Sequence, residues 1–220
     1  VDVRTEEARN AFDQLLKDIA HDFPGKNFNI NSEVRCGEIV EVATYMEDEC
    51  PADLIIMGTR GASGLADVLI GTSTITIMEQ VSTPVLAIPH DYEYHQPAKI
   101  VLAMDNGDGP TAEVLAPMVK MAERFNAQIL VIHVAKEPSD VEVNYDKVNK
   151  VLENVRSHCV TIYDKDVAKG LERFVKSEKV QMLCRIKQKL TFFERVFHRS
   201  LSNKMVMQTE VPMLVMSYKG

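Results

Sequence analysis

Asp53-Leu54-Ile55-Ile56-Met57-Gly58 is a short, unbroken apolar run ending in glycine, and Thr59-Arg60-Gly61-Ala62-Ser63-Gly64 carries it into a loop of small residues. An apolar run of this length without polar alternation predicts a strand covered on both faces, as in a parallel sheet. Residues 72–80 return to helical spacing, and Pro84-Val85-Leu86-Ala87-Ile88-Pro89 reads as a second buried strand. Strand, glycine loop, helix and strand in that order form the repeating unit of an α/β protein.

Toward the N-terminus, residues 6–19 place Ala8, Phe12, Leu15, Leu16 and Ile19 at helical spacing behind an acidic start, and Pro24-Gly25 ends the helix. Residues 28–34 alternate like a half-buried strand, and residues 38–49 form a helix with Ile39, Val42, Ala43 and Met46 on one face. Toward the C-terminus, residues 91–97 are polar and end in proline, the mark of a linker. The pattern then restarts. Strands are expected at 99–105, 127–134, 158–163, 180–185 and 212–216. Helices are expected at 111–125 (bent by the internal Pro117), 144–156, 167–177 and 200–209.

The two halves are repeats. A shift of 128 residues lays Thr83-Pro84-Val85-Leu86 on Val211-Pro212-Met213-Leu214 and Leu54-Ile55-Ile56 on Met182-Leu183-Cys184. It also lays Ile39, Ala43 and Met46 on Val167, Leu171 and Phe174. Two domains follow, residues 1–96 and 97–220.

Composition narrows the class. With 220 residues, 45% hydrophobic and 26% charged, the chain builds a sizeable core and is neither disordered nor collagen-like. No apolar run approaches the ~18–20 residues of a membrane helix, so no membrane role is expected. The net charge of −7 divides unevenly: residues 1–96 hold 6 Lys/Arg against 17 Asp/Glu, and residues 97–220 hold 19 against 15. An acidic half beside a mildly basic half suits two units docked on each other. Cys36, Cys50, Cys159 and Cys184 are widely spaced, which reads as buried reduced thiols in a cytoplasmic protein. The start of the chain carries no secretory pattern. His21, His90, His95, His133, His158 and His198 show no metal-ligand spacing, and His133 at a strand end reads as structural.

The chemistry concentrates in residues 58–73. Glycines between a buried strand and a helix let backbone N–H groups face a ligand, and the helix N-terminus adds unpaired N–H groups and partial positive charge. Thr72 and Ser73 add hydroxyls. These are the parts of a phosphate cradle, although neither a Walker loop nor a G-x-G-x-x-G fingerprint is present. A glycine-rich loop with no ligand is the alternative.

The spacing Gly58-x2-Gly61-x9-Gly71-Thr72 resembles the ATP-binding signature of the universal stress protein family. Residues 53–57 and Ser82-Thr83-Pro84-Val85-Leu86 are similar to that family's last two strands. The strand ending at Asp105 and Leu130-Val131-Ile132-His133-Val134 extend the likeness to the second half. The resemblance implies two repeats of a doubly wound parallel sheet, Rossmann-like, with strand order 3-2-1-4-5. It implies a pocket at the point where strand order reverses, and it implies that the strands at 84–88 and 212–216 pair in an intrachain pseudo-dimer. A homodimer is compatible with it. Under the resemblance, Gly58, Gly61, Gly71, Thr72 and Ser73 bind the phosphates of ATP or another adenine nucleotide, with Mg2+ carried by the nucleotide. Arg60 either reaches a phosphate or is simply exposed. The implied role is stress-response signalling without turnover. No general base is identifiable for ATP hydrolysis, so activity is at most a weak ATPase.

Two departures qualify this. Nothing before Val1 matches residues 99–134, so the chain is expected to lack its true N-terminal segment, or to receive those strands from another chain. Without that segment, the 58–72 loop lacks its adenine-side partners and ATP binds poorly. In the second half, Gly58, Gly61, Gly71 and Thr72 become Ile186, Lys189, Arg199 and Ser200, while Phe192, Phe193 and Phe197 add bulk. That repeat is expected not to bind ATP in the family manner. Its cations, Arg185, Lys187, Lys189, Arg195, Arg199 and Lys204, with His198, offer an anion site at Lys189, Arg195, His198, Arg199 and Ser200. A basic loop that is solvated, or docked on the acidic half, is the reading preferred over that site. An interaction scaffold meeting an acidic partner through residues 185–204 is the second functional hypothesis, and a nucleic-acid role is disfavoured by the acidic balance.

Overall fold

The computed structural model describes residues 3–26, 28–59, 71–104, 109–137, 145–187 and 210–218, which fall into two compact units, 1–42 and 43–220. In the first unit, helix α1 (Val3–Asp22) carries Glu6 in its first turn and His21 in its last. Both ends suit the helix dipole. The helix stops at a turn in which Lys26 N–H donates to the Phe23 carbonyl at 3.2 Å and Gly25 takes φ 76°. That left-handed conformation costs glycine nothing.

None of the unit's described residues is buried. Residues 28–34 are not a strand: the segment is irregular, and Phe28 and Ile30 are exposed. The alternation was real, but a strand is a pairing, and among the described residues no ladder partner meets it. Helix α2 (Ile39–Glu49) begins here and continues into the second unit.

The second unit holds a single sheet. Its elements are β1 (Ile55–Gly58), α3 (Thr72–Gln80), β2 (Val85–Ile88), β3 (Lys99–Met104), α4 (Ala112–Phe125) and β4 (Gln128–Ala135), then α5 (Asp146–Val151), β5 (Ser157–Tyr163), α6 (Val167–Ser177), β6 (Met182–Lys187) and β7 (Met213–Ser217). The strand order is β1-β2-β7-β6-β3-β4-β5. From β3 onward, β5-β4-β3-β6-β7 is the expected 3-2-1-4-5. The first half contributes only β1 and β2 among the described residues, so the sheet as a whole departs from two copies of that order. All neighbours run parallel except β2 and β7, which are antiparallel with Leu86 opposite Leu214. The two final strands therefore pair, as expected.

The 128-residue shift holds at the level of register. Ile55 and Ile56 face Val85 and Leu86, and Leu183 and Cys184 face Met213 and Leu214. Burial does not follow. β1 is the last of the described strands, and Ile56 is 64% exposed where a doubly covered strand was expected, whereas its counterpart Cys184 is 0% exposed. Cys184 has β3 on its other side, opposite Leu102.

One cluster of the core lies on one sheet face. Ile100, Leu102 and Met104 of β3 join Ile129, Val131, Met182, Cys184, Leu214 and Met216 there, against Val114, Leu115 and Met118 of α4 and Val148 of α5. The Thr111 hydroxyl accepts the Val114 N–H at the start of α4, and Asn126 closes it at φ 51°. Pro117 lies inside α4 without interrupting it. Helix α5 is shorter than its periodicity predicts, because Val155 N–H bonds the Leu152 carbonyl at 3.1 Å and tightens the chain into a turn. On the opposite face, α6 packs close to β4. A Cβ on Gly170 would stand 2.7 Å from Asp164 Cβ and 3.0 Å from Val134 Cγ1, so glycine is what this approach requires. The helix expected at 200–209 and the strand end at Asp105 lie outside the described residues.

Candidate functional site

Strand β1 delivers the chain to the carboxyl-terminal end of the sheet at Gly58, and α3 takes it back from Gly71. Between them the excursion is pinched at its base: Gly71 N–H donates to the Thr59 carbonyl at 2.6 Å. Thr59 is itself anchored, 3% exposed, with its N–H donating to the Ile88 carbonyl of β2 at 2.9 Å. Across the neck, Thr74, also 3% exposed, donates its hydroxyl to the Gly58 carbonyl at 3.2 Å. Helix α3 starts with the Ile75 N–H bonding the Gly71 carbonyl. Gly71, its N-cap, has no side-chain cap bond, which leaves the first-turn amides without an internal acceptor. Among the described residues, a Cβ on Gly58 would meet nothing within 4 Å, so their packing does not demand glycine there.

Of the candidate residues, Gly58, Gly71, Thr72 and Ser73 converge on this neck, with Ser73 exposed. Gly61, Arg60, Ser63 and the side chain of Thr72 lie outside the described part. Sequence reasoning missed Thr59 and Thr74. The cue was the run Thr72-Ser73-Thr74, in which the third hydroxyl faces back toward the strand.

The equivalent place in the second half ends in Ile186 and Lys187, half-buried on β6. Lys189, Arg195, His198, Arg199, Ser200 and Lys204 are outside the described residues. The cation that is described has acidic company. Burial holds Lys187 below its usual pKa, and the charges of Glu79 and Glu47 oppose that shift. Arg185 is buried in register with Ala103 and Val215.

Glu47 ties α2 to the start of β2. Its carboxylate accepts Thr83 N–H at 2.5 Å, the Thr83 hydroxyl at 2.6 Å and Ser82 N–H at 3.2 Å. Desolvation acts to raise its pKa, but these donors and Lys187 prevail and hold it below the ordinary carboxylate value. The clasp itself lies within the first half, with Lys187 as the smallest of the influences that lower the Glu47 pKa.

Buried His133 donates through Nδ1 to the Met104 carbonyl at 3.1 Å, a bond between neighbouring strands. The four cysteines are free. Burial raises the Cys184 thiol's pKa, but Cys36 and Cys50 are exposed, contrary to the expectation of buried thiols. Among the described residues, no group of three His, Cys, Asp or Glu side chains could hold a metal, and no helix is long and apolar enough to cross a membrane.

Comparison with known proteins places these features. Residues 2–89 match the model of the Universal stress protein family. A universal stress protein of Methanocaldococcus jannaschii is 32% identical over 88 residues, covering 38% of this chain and 49% of that protein. One from Mycolicibacterium smegmatis is 21% identical over 142 residues, covering 64% and 48%. The chain spans about half the length of these curated relatives. Among solved structures, a universal stress protein from Archaeoglobus fulgidus superposes with TM-score 0.69 at 16% identity, over 99% of this chain and 80% of that one. A putative universal stress protein from Pseudomonas aeruginosa gives 0.61 at 14% identity, again over 99% and 80%. At such identities the likeness is one of fold.

Proposed function

We propose that the chain is a member of the universal stress protein family, whose model residues 2–89 match, and that it binds ATP or another adenine nucleotide at residues 58–73 and signals stress by its ligand state rather than by turnover. The observation that carries this reading is the pinched neck. The Gly71-to-Thr59 bond sets a helix N-terminus without a side-chain cap from Gly71 beside Gly58, where no described residue comes within 4 Å of an added Cβ. Such an arrangement suits a phosphate tail, because first-turn amides and partial positive charge face one point. Gly58, Gly61 and Gly71 would admit the tail to the backbone, and Thr72 and Ser73 would add donors; a Mg2+ ion would arrive with the nucleotide. In the same proposal, 1–96 and 97–220 are two repeats joined through β2 and β7 as a pseudo-dimer, working in the cytoplasm, alone or as a homodimer.

Isothermal titration of the full-length protein with ATP tests this, comparing it with its Gly61→Lys/Gly71→Arg variant. Heat from the first and none from the second is expected, and equal heats reject the cradle. Phosphate release above a no-protein control would revive hydrolysis. The scaffold reading, in which residues 185–204 meet an acidic partner, has one observation in the other direction: Lys187 already feels the charges of Glu47 and Glu79 within the chain.

A further inference from the structure

We propose that Thr74, which the family signature at 58–72 does not include, is the positioning residue of this loop: its hydroxyl fixes the first turn of α3 to the end of β1, so that the amides of that turn are aimed before a ligand arrives. This rests on the nucleotide reading above and deepens it. The geometry is specific. Ile55 and Thr59 direct their N–H groups at β2, to the carbonyls of Pro84 and Ile88. The pleat therefore turns the Gly58 carbonyl the other way, toward the free edge of β1, where no described strand pairs. The Thr74 hydroxyl reaches that carbonyl at 3.2 Å from a site that is 97% covered, given the 3% exposure of the residue.

Two links then hold the neck from opposite sides. Gly71 N–H grips the Thr59 carbonyl, and Thr74 grips Gly58. Buried Ile77 and Met78 hold the body of α3, and these two bonds hold its first turn. Together they fix its first turn in position and direction relative to the strand. Amides that are held in place bind an anion without an ordering cost at the moment of binding, which is the general source of affinity from preorganisation. Thr74 touches no phosphate in this account. It acts through Gly58 and the helix.

The test compares Thr74→Val, Thr74→Cys and Thr74→Ser, each in the full-length protein, by titration with ATP and with adenosine, beside the unaltered full-length chain. Valine keeps the volume and removes the donor, so ATP affinity should fall about tenfold, the scale of one buried hydrogen bond. Serine should restore it, and cysteine, a weak donor, should lie between. Adenosine has no phosphate tail, so its affinity should be the same in all four proteins. A merely structural role would lower the thermal midpoint and leave the ATP-to-adenosine ratio unchanged. If Thr74→Val fails to fold, the serine-to-cysteine contrast decides: equal ATP affinities for those two overturn the proposal. Tight ATP binding by the unaltered chain and by Thr74→Val alike overturns it as well. Absence of ATP binding by the unaltered chain overturns the nucleotide reading itself, and the positioning role with it.

Discussion

The β1–β2 pair and the β6–β7 pair share one register in two settings. Their registers coincide residue for residue under a shift of 128, yet Ile56 stands in solvent and Cys184 is sealed. Register is therefore written locally, in the strand–loop–helix–strand unit, while burial is decided by whichever strand lies on the far side. The lead-in segments differ too. Glu47 clasps Thr83 in the first half, and the shift puts Val175 and Val211 at those positions in the second.

The sharpest way to break the equivalence is a carboxylate at the matched pair. Cys184→Asp buries an unpaired charge between β3 and β7 and should cost about 4 kcal/mol or more, enough to abolish the unfolding transition of a marginal domain. Ile56→Asp should cost less than ~1 kcal/mol, since the side chain is already in water. Urea denaturation of both variants measures the contrast. Next in size is the junction itself. Leu214→Ala should lose about 3 kcal/mol and Leu86→Ala somewhat less, and because the two face each other the double variant should fall short of the sum. A double-mutant cycle reads the coupling.

Smaller is the clasp. Glu47→Gln should cost on the order of 1 kcal/mol at neutral pH, reduced by solvent around the group. Its pKa is lower folded than unfolded, so its contribution is present above the unfolded carboxylate value of 4.5 and fades as pH falls through the folded value. The variant should therefore lose less stability than the parent on acidification below about pH 5, read as thermal midpoints across that window. Smallest is Gly58→Ala. With ordinary φ and nothing near the added methyl, it should shift stability by no more than ~0.5 kcal/mol. Any marked loss of ATP heat in that variant would then belong to the ligand.

Much of this architecture was legible because apolar runs such as 99–104 and 128–134 are buried on both faces and carry no competing pattern. The failures share a cause. The alternation at 28–34 and the apolar run at 55–58 both assumed neighbours, and a neighbour is a long-range fact that no local window contains. Residues 144–156 had helical spacing throughout, but the turn at 152–155 formed without glycine or proline to announce it. At the candidate site, glycine spacing marked the loop. The clip from Thr74 was hidden because one hydroxyl among three looks like the others until the strand end it bonds is in place.

One feature sets the direction of everything else. Because β2 and β7 run oppositely, the carboxyl ends of β1 and β6 open on opposite rims of one sheet. A guest seated beyond Gly58 and another beyond Lys187 would approach from opposite sides and never compete for space. Between them lies the short antiparallel seam of Val85–Ala87 on Met213–Val215, the strand ladder among the described residues that joins one half to the other.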